Sequence, residues 1–377
     1  MFTVVLVGLA WLAPGAALGT ALVQESRVSS DDPLPLQELP FDPEETLESF
    51  RGVPVSATEQ RYLTGRLQSR QYVRRGDDGA EVPHGPTFRW HANGELWQIR
   101  VFVDGVQDGP YREWAESGIR FQSGSFAGDD LDGVWEEYND FGDVRIRRTW
   151  RAGVLDGPAE RFYKDGVLFK TLTWRAGKRE GVEHAYHRNG KRKASGEWKD
   201  DQKSGPWTTW HANETRETEA SYRAGKFHGA YSRWDENGTL VEQGEYRQDR
   251  CHGEWTRYKV NGNRVVETFK HGRLNGPYTE FLAGSDSPIV RAEYALGKAT
   301  GEFLTWRPSG KLASRTTFVE GRPNGAAETF HPGGEKQSAG ELLDGRRHGN
   351  WTFWDASGAV LDDWSGRYEN GRRVAPL

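Results

Sequence analysis

YRAGKFHGAYSRWDENG, residues 222–238, is the stretch on which the reading of the chain turns. Counted from Gly229 as zero, it places an aromatic at +2 (Tyr231), another at +5 (Trp234) and Asn237-Gly238 at +8 and +9, with a further aromatic, Tyr246, at +17. The frame recurs at Gly85, Gly109, Gly133, Gly157, Gly181, Gly205, Gly253, Gly276, Gly301, Gly325 and Gly349. Successive zero positions lie 24 residues apart, except for a gap of 23 before Gly276 and a compensating 25 after it. A period that short and that regular describes an array of one small supersecondary unit in which each copy packs on its neighbours.

The composition fits such an array. Only 35% of the 377 residues are hydrophobic, much of that is Trp, Tyr and Phe, and 46 are glycine. Little aliphatic material is left for a deep layered core, and the bias is toward short strands and tight turns. Within a unit, the zero-to-+7 segment is short, aromatic and bounded by glycine, so it reads as a strand. Asn-Gly pairs (Asn93-Gly94, Asn189-Gly190, Asn237-Gly238, Asn261-Gly262) then predict a two-residue type I′ hairpin. A second strand reaches the +17 aromatic, and aromatic-x-x-Gly-Lys-x-x-Gly returns the chain to the next zero position. The predicted fold is all-β: an elongated, single-layer antiparallel meander of about twelve 24-residue hairpins. At about 9 to 10 Å per hairpin it would span on the order of 110 Å before twist.

A two-residue turn sets +7 against +10 and therefore zero against +17. Gly181 should face Trp198, Gly205 should face Tyr222, and Gly229 should face Tyr246, with the ring covering the glycine. Positions +2 and +5 differ by three, so in a regular strand they point to opposite faces. Either both faces carry aromatics or a bulge intervenes. Some units depart from the frame: Asp129, Asp201 and Asp249 replace the first glycine of the return loop, and Glu214 replaces the turn glycine. Position +2 is not aromatic at Thr87, Ala159, Glu183 or Ala327.

The +5 position never fails: Trp90, Trp114, Tyr138, Phe162, Tyr186, Trp210, Trp234, Tyr258, Phe281, Trp306, Phe330 and Trp354. Two accounts fit this regularity. One is an aromatic ladder that holds neighbouring hairpins together. The other is a partner-binding strip, for which Trp90, Trp114, Tyr138, Tyr186, Trp210, Trp234, Tyr258, Trp306 and Trp354 are the candidate residues.

Residues 1–23 are an apolar run without a charged side chain, read as a signal peptide or an N-terminal anchor. No cysteine follows it to take a lipid. Residues 24–49 hold eight acids against Arg27 alone and three prolines before Phe41, an acidic Pro-rich linker. Within it, Asp42-Pro43-Glu44-Glu45 has the form of a helix start and predicts a short helix to about Phe50. Residues 50–84 read as a degenerate N-terminal cap repeat, 85–371 as the regular hairpins and 372–377 as a tail.

With the linker set aside, the chain from Phe50 onward is close to neutral, at +2 against the overall −5. It has no basic stripe of the kind that displaces counterions from nucleic acid. Cys251 is the only cysteine, so neither a disulfide framework nor a cysteine metal site is present. Eight of the ten histidines fall in two registers, just before zero (His84, His228, His252, His348) and at +6 (His91, His187, His211, His331). Equivalent positions in successive hairpins are about 9 to 10 Å apart, whereas metal–nitrogen bonds are about 2.0 to 2.1 Å. The phasing therefore predicts turn-flanking polar residues rather than metal ligands. No nucleophile elbow, phosphate loop or HExxH pattern occurs. Neither a cofactor nor a catalytic residue is expected. Asn213-Glu-Thr215, Asn237-Gly-Thr239 and Asn350-Trp-Thr352 match a glycosylation acceptor pattern, which the turn chemistry of the first two explains.

The repeated aromatic-x-x-Gly-Lys-x-x-Gly-x-aromatic-x-x-aromatic-x-x-x-Gly resembles the bacterial MORN-repeat-variant proteins, as in the YwqK antitoxin-like family. The resemblance covers residues 85–371. It implies hairpins in a long twisted sheet that binds other macromolecules, and in antitoxin members the partner is a polymorphic toxin. The expectation is thus a non-enzymatic, monomeric protein-binding or scaffolding module exported to the cell envelope, with an unidentified protein partner. The alternatives are an immunity protein that neutralises a toxin, or a repeat protein that binds cell-wall glycan or a membrane surface.

Overall fold

The computed structural model describes residues 41–377; the apolar leader and most of the acidic linker lie outside them. Among the described residues there are thirty-two β-strands and no helix. From Ser56–Arg61 to Arg372–Ala375 the strands pair antiparallel in chain order. The first and last of them do not pair with each other, so the sheet is an open meander.

The expected register holds: Gly181 faces Trp198, Gly205 faces Tyr222 and Gly229 faces Tyr246. It is reached by a different route. Asp235 N–H donates to Thr239 O at 2.9 Å and Gly238 N–H to Asp235 O at 3.0 Å, which closes a three-residue loop rather than a two-residue one. Only Gly238 has positive φ (81°), so the turn is type I followed by a left-handed glycine. A bulge then restores the frame, since Trp234 faces Leu240 whereas Arg233 faces Glu242. The longer loop and the bulge cancel by +4. The type I′ turn is real but sits at the return connection, where Ala224 (φ 50°) and Gly225 (φ 75°) lie between the paired Arg223 and Lys226.

The irregular gaps follow the same bookkeeping. The 23-residue unit pairs Gly253 with Phe269 and Tyr258 with Arg264 without any register shift, having dropped the bulge. The 25-residue unit keeps its bulge and lengthens its tip, where Leu282 N–H donates to Ser287 O at 3.0 Å.

All twelve zero-position glycines have positive φ, from 65° at Gly205 to 132° at Gly157. They mark a second irregularity, seen where Gln243 faces Thr256 while Glu245 faces His252. Glycine is therefore needed at zero for its backbone, and a Cβ on Gly229 would meet Ser221 rather than the Tyr246 ring. The ring-over-glycine contact occurs at +15 instead. Trp135, Trp207, Trp255 and Trp351, all at +2, cover Gly124, Gly196, Gly244 and Gly340 of the preceding unit.

Positions +2 and +15 thus form one row that crosses the sheet with one residue per strand. Its members are matched in size: Trp meets Gly, Tyr231 meets Ala220, and Phe303 takes the place beside Ala292. Trp207, Trp255 and Trp351 are buried, as are Leu172, Ala159 and Ala327. The +17 rings join this row, giving continuous contacts from Trp198 through Trp207, Tyr222, Phe227, Tyr231 and Tyr246 to Trp255. This is the aromatic ladder of the molecule.

Both edges are stitched turn to turn. At the hairpin tips, Nε2 of His187 and of His211 donates to Trp210 O (2.8 Å) and Trp234 O (3.1 Å), and Tyr163 Oη does the same to Tyr186 O (2.9 Å). The turn asparagines add a rung: Asn213 Nδ2 donates to Glu236 O at 2.7 Å while its Oδ1 accepts from Thr215 N–H at 3.0 Å. At the return edge, Gly225 N–H donates to Lys203 O at 3.0 Å. Where aspartate replaces that glycine, the backbone tolerates φ near 63° at Asp249 and the carboxylate accepts a further bond from Phe227 N–H at 2.7 Å. Glu214 keeps the left-handed conformation (φ 73°), and its carboxylate pairs with Lys191 at 3.0 Å instead.

Near the N-terminus the expected helix is replaced. Asp42 Oδ1 accepts from Glu44 N–H at 2.8 Å and Glu45 N–H reaches Asp42 O at 3.3 Å, but the turn does not propagate. One such turn does not offset the cost of nucleation, and the segment gains more by packing on the sheet. Phe41 and Phe50 stack edge-on, Tyr72 Oη bridges Leu47 N–H and Glu45 O, and Ser49–Phe50 pairs with Val53–Pro54. Beneath them Tyr72 and Phe88 are fully buried.

Two outcomes test this packing. Gly244→Ala places a methyl inside the Trp255 indole and should destabilise the chain by about 1–3 kcal/mol. Adding Trp255→Phe should recover part of the loss, as read from urea midpoints. In the ladder, burial together with nearby acidic side chains pushes the Tyr111 and Tyr278 hydroxyls up to about 12, and burial does the same for Tyr246. These pKa values exceed the unfolded one, so the folded chain holds more protons and loses stability as pH rises from about 10 to 12. Absorbance at 295 nm should show these three tyrosines ionising only with alkaline unfolding.

Candidate functional site

The +5 residues lie opposite the +2 row, because three residues of unbroken strand separate them and the bulge falls on the facing strand. Each faces the +11 residue of its own hairpin: Trp114 with Arg120, Tyr186 with Arg192, Trp210 with Arg216, Tyr258 with Arg264. The result is a second row across the sheet, aromatic at every other strand and arginine, lysine or a small apolar residue between. From Tyr186 to Trp234 it reads Tyr, Arg, Trp, Arg, Trp.

The structure places the candidate residues unevenly along this row. Trp114 and Tyr138 are buried, Tyr258 is exposed, and Trp90, Tyr186, Trp210, Trp234, Trp306 and Trp354 are half-buried. Their rings do not touch one another; Phe88 against Trp90 is the one ring pair among the described residues that includes a +5 member. What they meet is guanidinium. Arg192 lies 5.7 Å from the Trp210 ring, Arg216 6.0 Å from Trp234, and Arg264 4.1 Å from Phe281. Each arginine sits on the ring of the following hairpin, so the row is cross-linked without being stacked.

The surrounding face is polar. Arg147 bonds Glu136 at 2.8 Å and Glu160 at 2.6 Å, and Ser195 Oγ meets His184 Nδ1 at 3.0 Å. Tyr138 Oη donates to Glu136 Oε2 at 2.6 Å. Burial works against the Glu136 charge, but the bonds from Tyr138 and Arg147 outweigh it and hold the carboxyl below its usual range. Where Tyr138 and Phe162 adjoin the hairpin tips lies a hollow of about 460 Å3, whose lining also takes in Arg145 and Lys164 together with Glu137 and Arg161, which stand at +4 in the register of the +2 face.

The +6 histidines are engaged at the hairpin tips through Nε2, each on the carbonyl of the following +5 residue. His84 departs from the expected turn-flanking role. It is 2% exposed, with Nδ1 at 3.2 Å from Asp104 Oδ1 and Nε2 at 3.3 Å from Phe50 O, and so pins the N-terminal segment to the sheet. Among the described residues, no three His, Cys, Asp or Glu side chains come together as a metal site. Burial pushes the Cys251 thiol up, away from the thiolate form that reacts or binds metal.

The +11 cations had no signal in the single-unit motif, because they alternate with Leu, Val and Pro from unit to unit. Only the register, which sets +5 against +11, brings them into one row.

Among curated proteins none matches this chain. Solved structures that match include a crystal structure of TcdB2-TccC3 at 12% identity and TM-score 0.18, covering 81% of this chain and 17% of that one. A second, of TcdB2-TccC3-TEV, matches at 12% identity and TM-score 0.15 over 82% of this chain and 20% of that one. The chain thus spans about a fifth or less of the length of these structures. A family model for the MORN repeat variant matches residues 227–248, which take in the +2 and +5 positions of the unit at Gly229. The chain carries a MORN repeat variant there, within a repeating antiparallel meander.

Proposed function

We propose that the array is a non-enzymatic binding or scaffolding module whose contact surface is the +5 row, and that its partner is a protein. The observation that carries this reading is the division of labour between the two faces. The +2, +15 and +17 residues account for cohesion between hairpins, through rings packed on glycine and on each other. Apart from Trp90 against Phe88 within one strand, the +5 rings add no ring-to-ring contact among the described residues, yet a ring stands at every unit on the polar face. Half-buried aromatics interleaved with arginine are the composition of protein contact surfaces, where such residues supply much of the binding energy. The apolar run of residues 1–23 supports the reading that the module acts outside the cytoplasm, in the cell envelope or tethered to a membrane, and as a monomer.

The test separates cohesion from contact. Full-length protein and its Trp210→Ala/Trp234→Ala variant are used as bait on extract of the native organism, with thermal melts run beside the capture. The expected outcome is a partner band lost from the variant while its melting temperature stays within a few degrees of wild type, each ring contributing about 2 kcal/mol or more to binding. A variant that melts far earlier, or that retains the partner, would return the +5 row to a structural role. A captured toxin would identify the module as an immunity protein.

A further inference from the structure

The aromatic row on the other face is interrupted at two successive units. Trp135 and Trp207 occupy +2 on either side, but between them that position holds Ala159 and Glu183. The interruption leaves a hollow of about 590 Å3. Its floor is aliphatic, made of the buried Ile146, Ala159 and Leu172, and Trp174 forms a wall. A volume of this order suits a small molecule.

Cations surround that apolar floor. Arg148, Arg161, Lys170 and Arg179 line the hollow against Glu160 and Asp201. Arg179 is held by Asp201 at 2.9 Å and lies 3.7 Å from the Trp198 ring. Lys170 is held by Glu183 at 3.1 Å, and Arg148 by Glu137 at 3.3 Å. Arg161, by contrast, forms no ion pair among the described residues. Lys203, next along the sheet, has no ion pair among the described residues either, and lies over the Trp207 ring at 4.1 Å. Burial holds the Lys203 amine below its usual range, with Glu183 opposing and Lys170 reinforcing that shift, which places these charges within one field.

Elsewhere in the row a cation at the same register lies over an indole at +2, as Lys203 does over Trp207 and Arg347 over Trp351 at 5.3 Å. In the Glu183 unit that register holds Arg179, which lies over the Trp198 ring instead, and in the Ala159 unit it holds Leu155, so the cations around Ala159 are Arg148, Arg161 and Lys170 of neighbouring registers, with no indole at +2 beneath them. We propose that this hollow binds a small aryl carboxylate, whose ring takes the level left empty at Ala159, beside the buried Glu183 that Lys170 and Trp198 hold in place, and whose carboxylate meets Arg161. The site lies on the face opposite the +5 row and does not depend on the protein-binding reading.

Indole-3-acetate is the probe, titrated calorimetrically into the full chain, with tryptamine as the analogue of opposite charge and acetate as the analogue without a ring. The expected result is saturable one-to-one binding of indole-3-acetate, at least tenfold tighter than either analogue. Arg161→Gln should weaken it at least fivefold, and Ala159→Trp, which refills the row, should abolish it. Melting curves establish that each variant is folded; should Ala159→Trp not fold, Arg161→Gln alone decides. Trp210→Ala/Trp234→Ala should bind the probe as wild type does, so that failure of one site is distinguishable from failure of the other. Absence of saturable binding, equal binding of tryptamine, or unchanged binding by folded Arg161→Gln would overturn the proposal.

Discussion

Volume shared between one strand and the next is the constraint on which the sheet depends. A sheet with no second layer cannot bury its side chains against a facing element, so apolar burial must be found along the sheet itself. The +2/+15 row does this by letting a large ring from one hairpin lie across the backbone of its neighbour, which works only where that neighbour has glycine or alanine. Trp255 over Gly244 and Tyr231 beside Ala220 are two solutions to one equation in volume. The twelve positive-φ glycines belong to the same arrangement, since they bend each strand where the two-residue return turn would otherwise carry it straight past the row.

Contacts of this kind reach no farther than adjacent strands. Stability then accumulates unit by unit, as the sum of each hairpin's own contribution and the contribution of its interfaces. The turn-to-turn hydrogen bonds act in the same direction at both edges. His211 to Trp234 O at the tips, and Gly225 N–H to Lys203 O at the returns, fix the angle between consecutive hairpins, which side-chain packing at the middle of the strands would leave loose. The first unit meets the problem of having no predecessor by recruiting residues 41–54, with His84 and Tyr72 as the fastening points.

Much of this was legible in the sequence. The period gave the hairpin, and the expected two-residue turn gave the pairing of zero with +17, which the structure keeps by another route. What was not legible was how that pairing is achieved, because a two-residue turn and a three-residue loop with a bulge yield the same register at +17. Asn237-Gly238 satisfies both: asparagine accepts left-handed backbone, but it also accepts hydrogen bonds across a type I turn, and here the aspartate and asparagine side chains do the latter. Ala224-Gly225 carried a weaker signal for a type I′ turn, since alanine is seldom left-handed, and the tight return imposes that conformation on it. The helix expected at Asp42-Pro43 failed for a tertiary reason, the availability of a hydrophobic edge to cover. In the candidate site, the aromatic at every +5 position is legible as a row, whereas its arginine partners emerge only when strands are laid side by side. The hollow at Ala159 was visible as a departure from the frame, but its cationic rim draws on four different strands.

The 23- and 25-residue units show how the array accommodates changes in length. One unit omits a bulge and the other extends a tip, and in both the next zero-position glycine arrives where the row requires it. The tip and the bulge therefore act as a length buffer between the genetic text and the row. Insertions and deletions that fall there are absorbed within a single hairpin, while one at the return turn would shift every later ring by a position and turn it to the other face. Such a chain can drift at its tips, and acquire new surface loops there, while its volume matching stays intact.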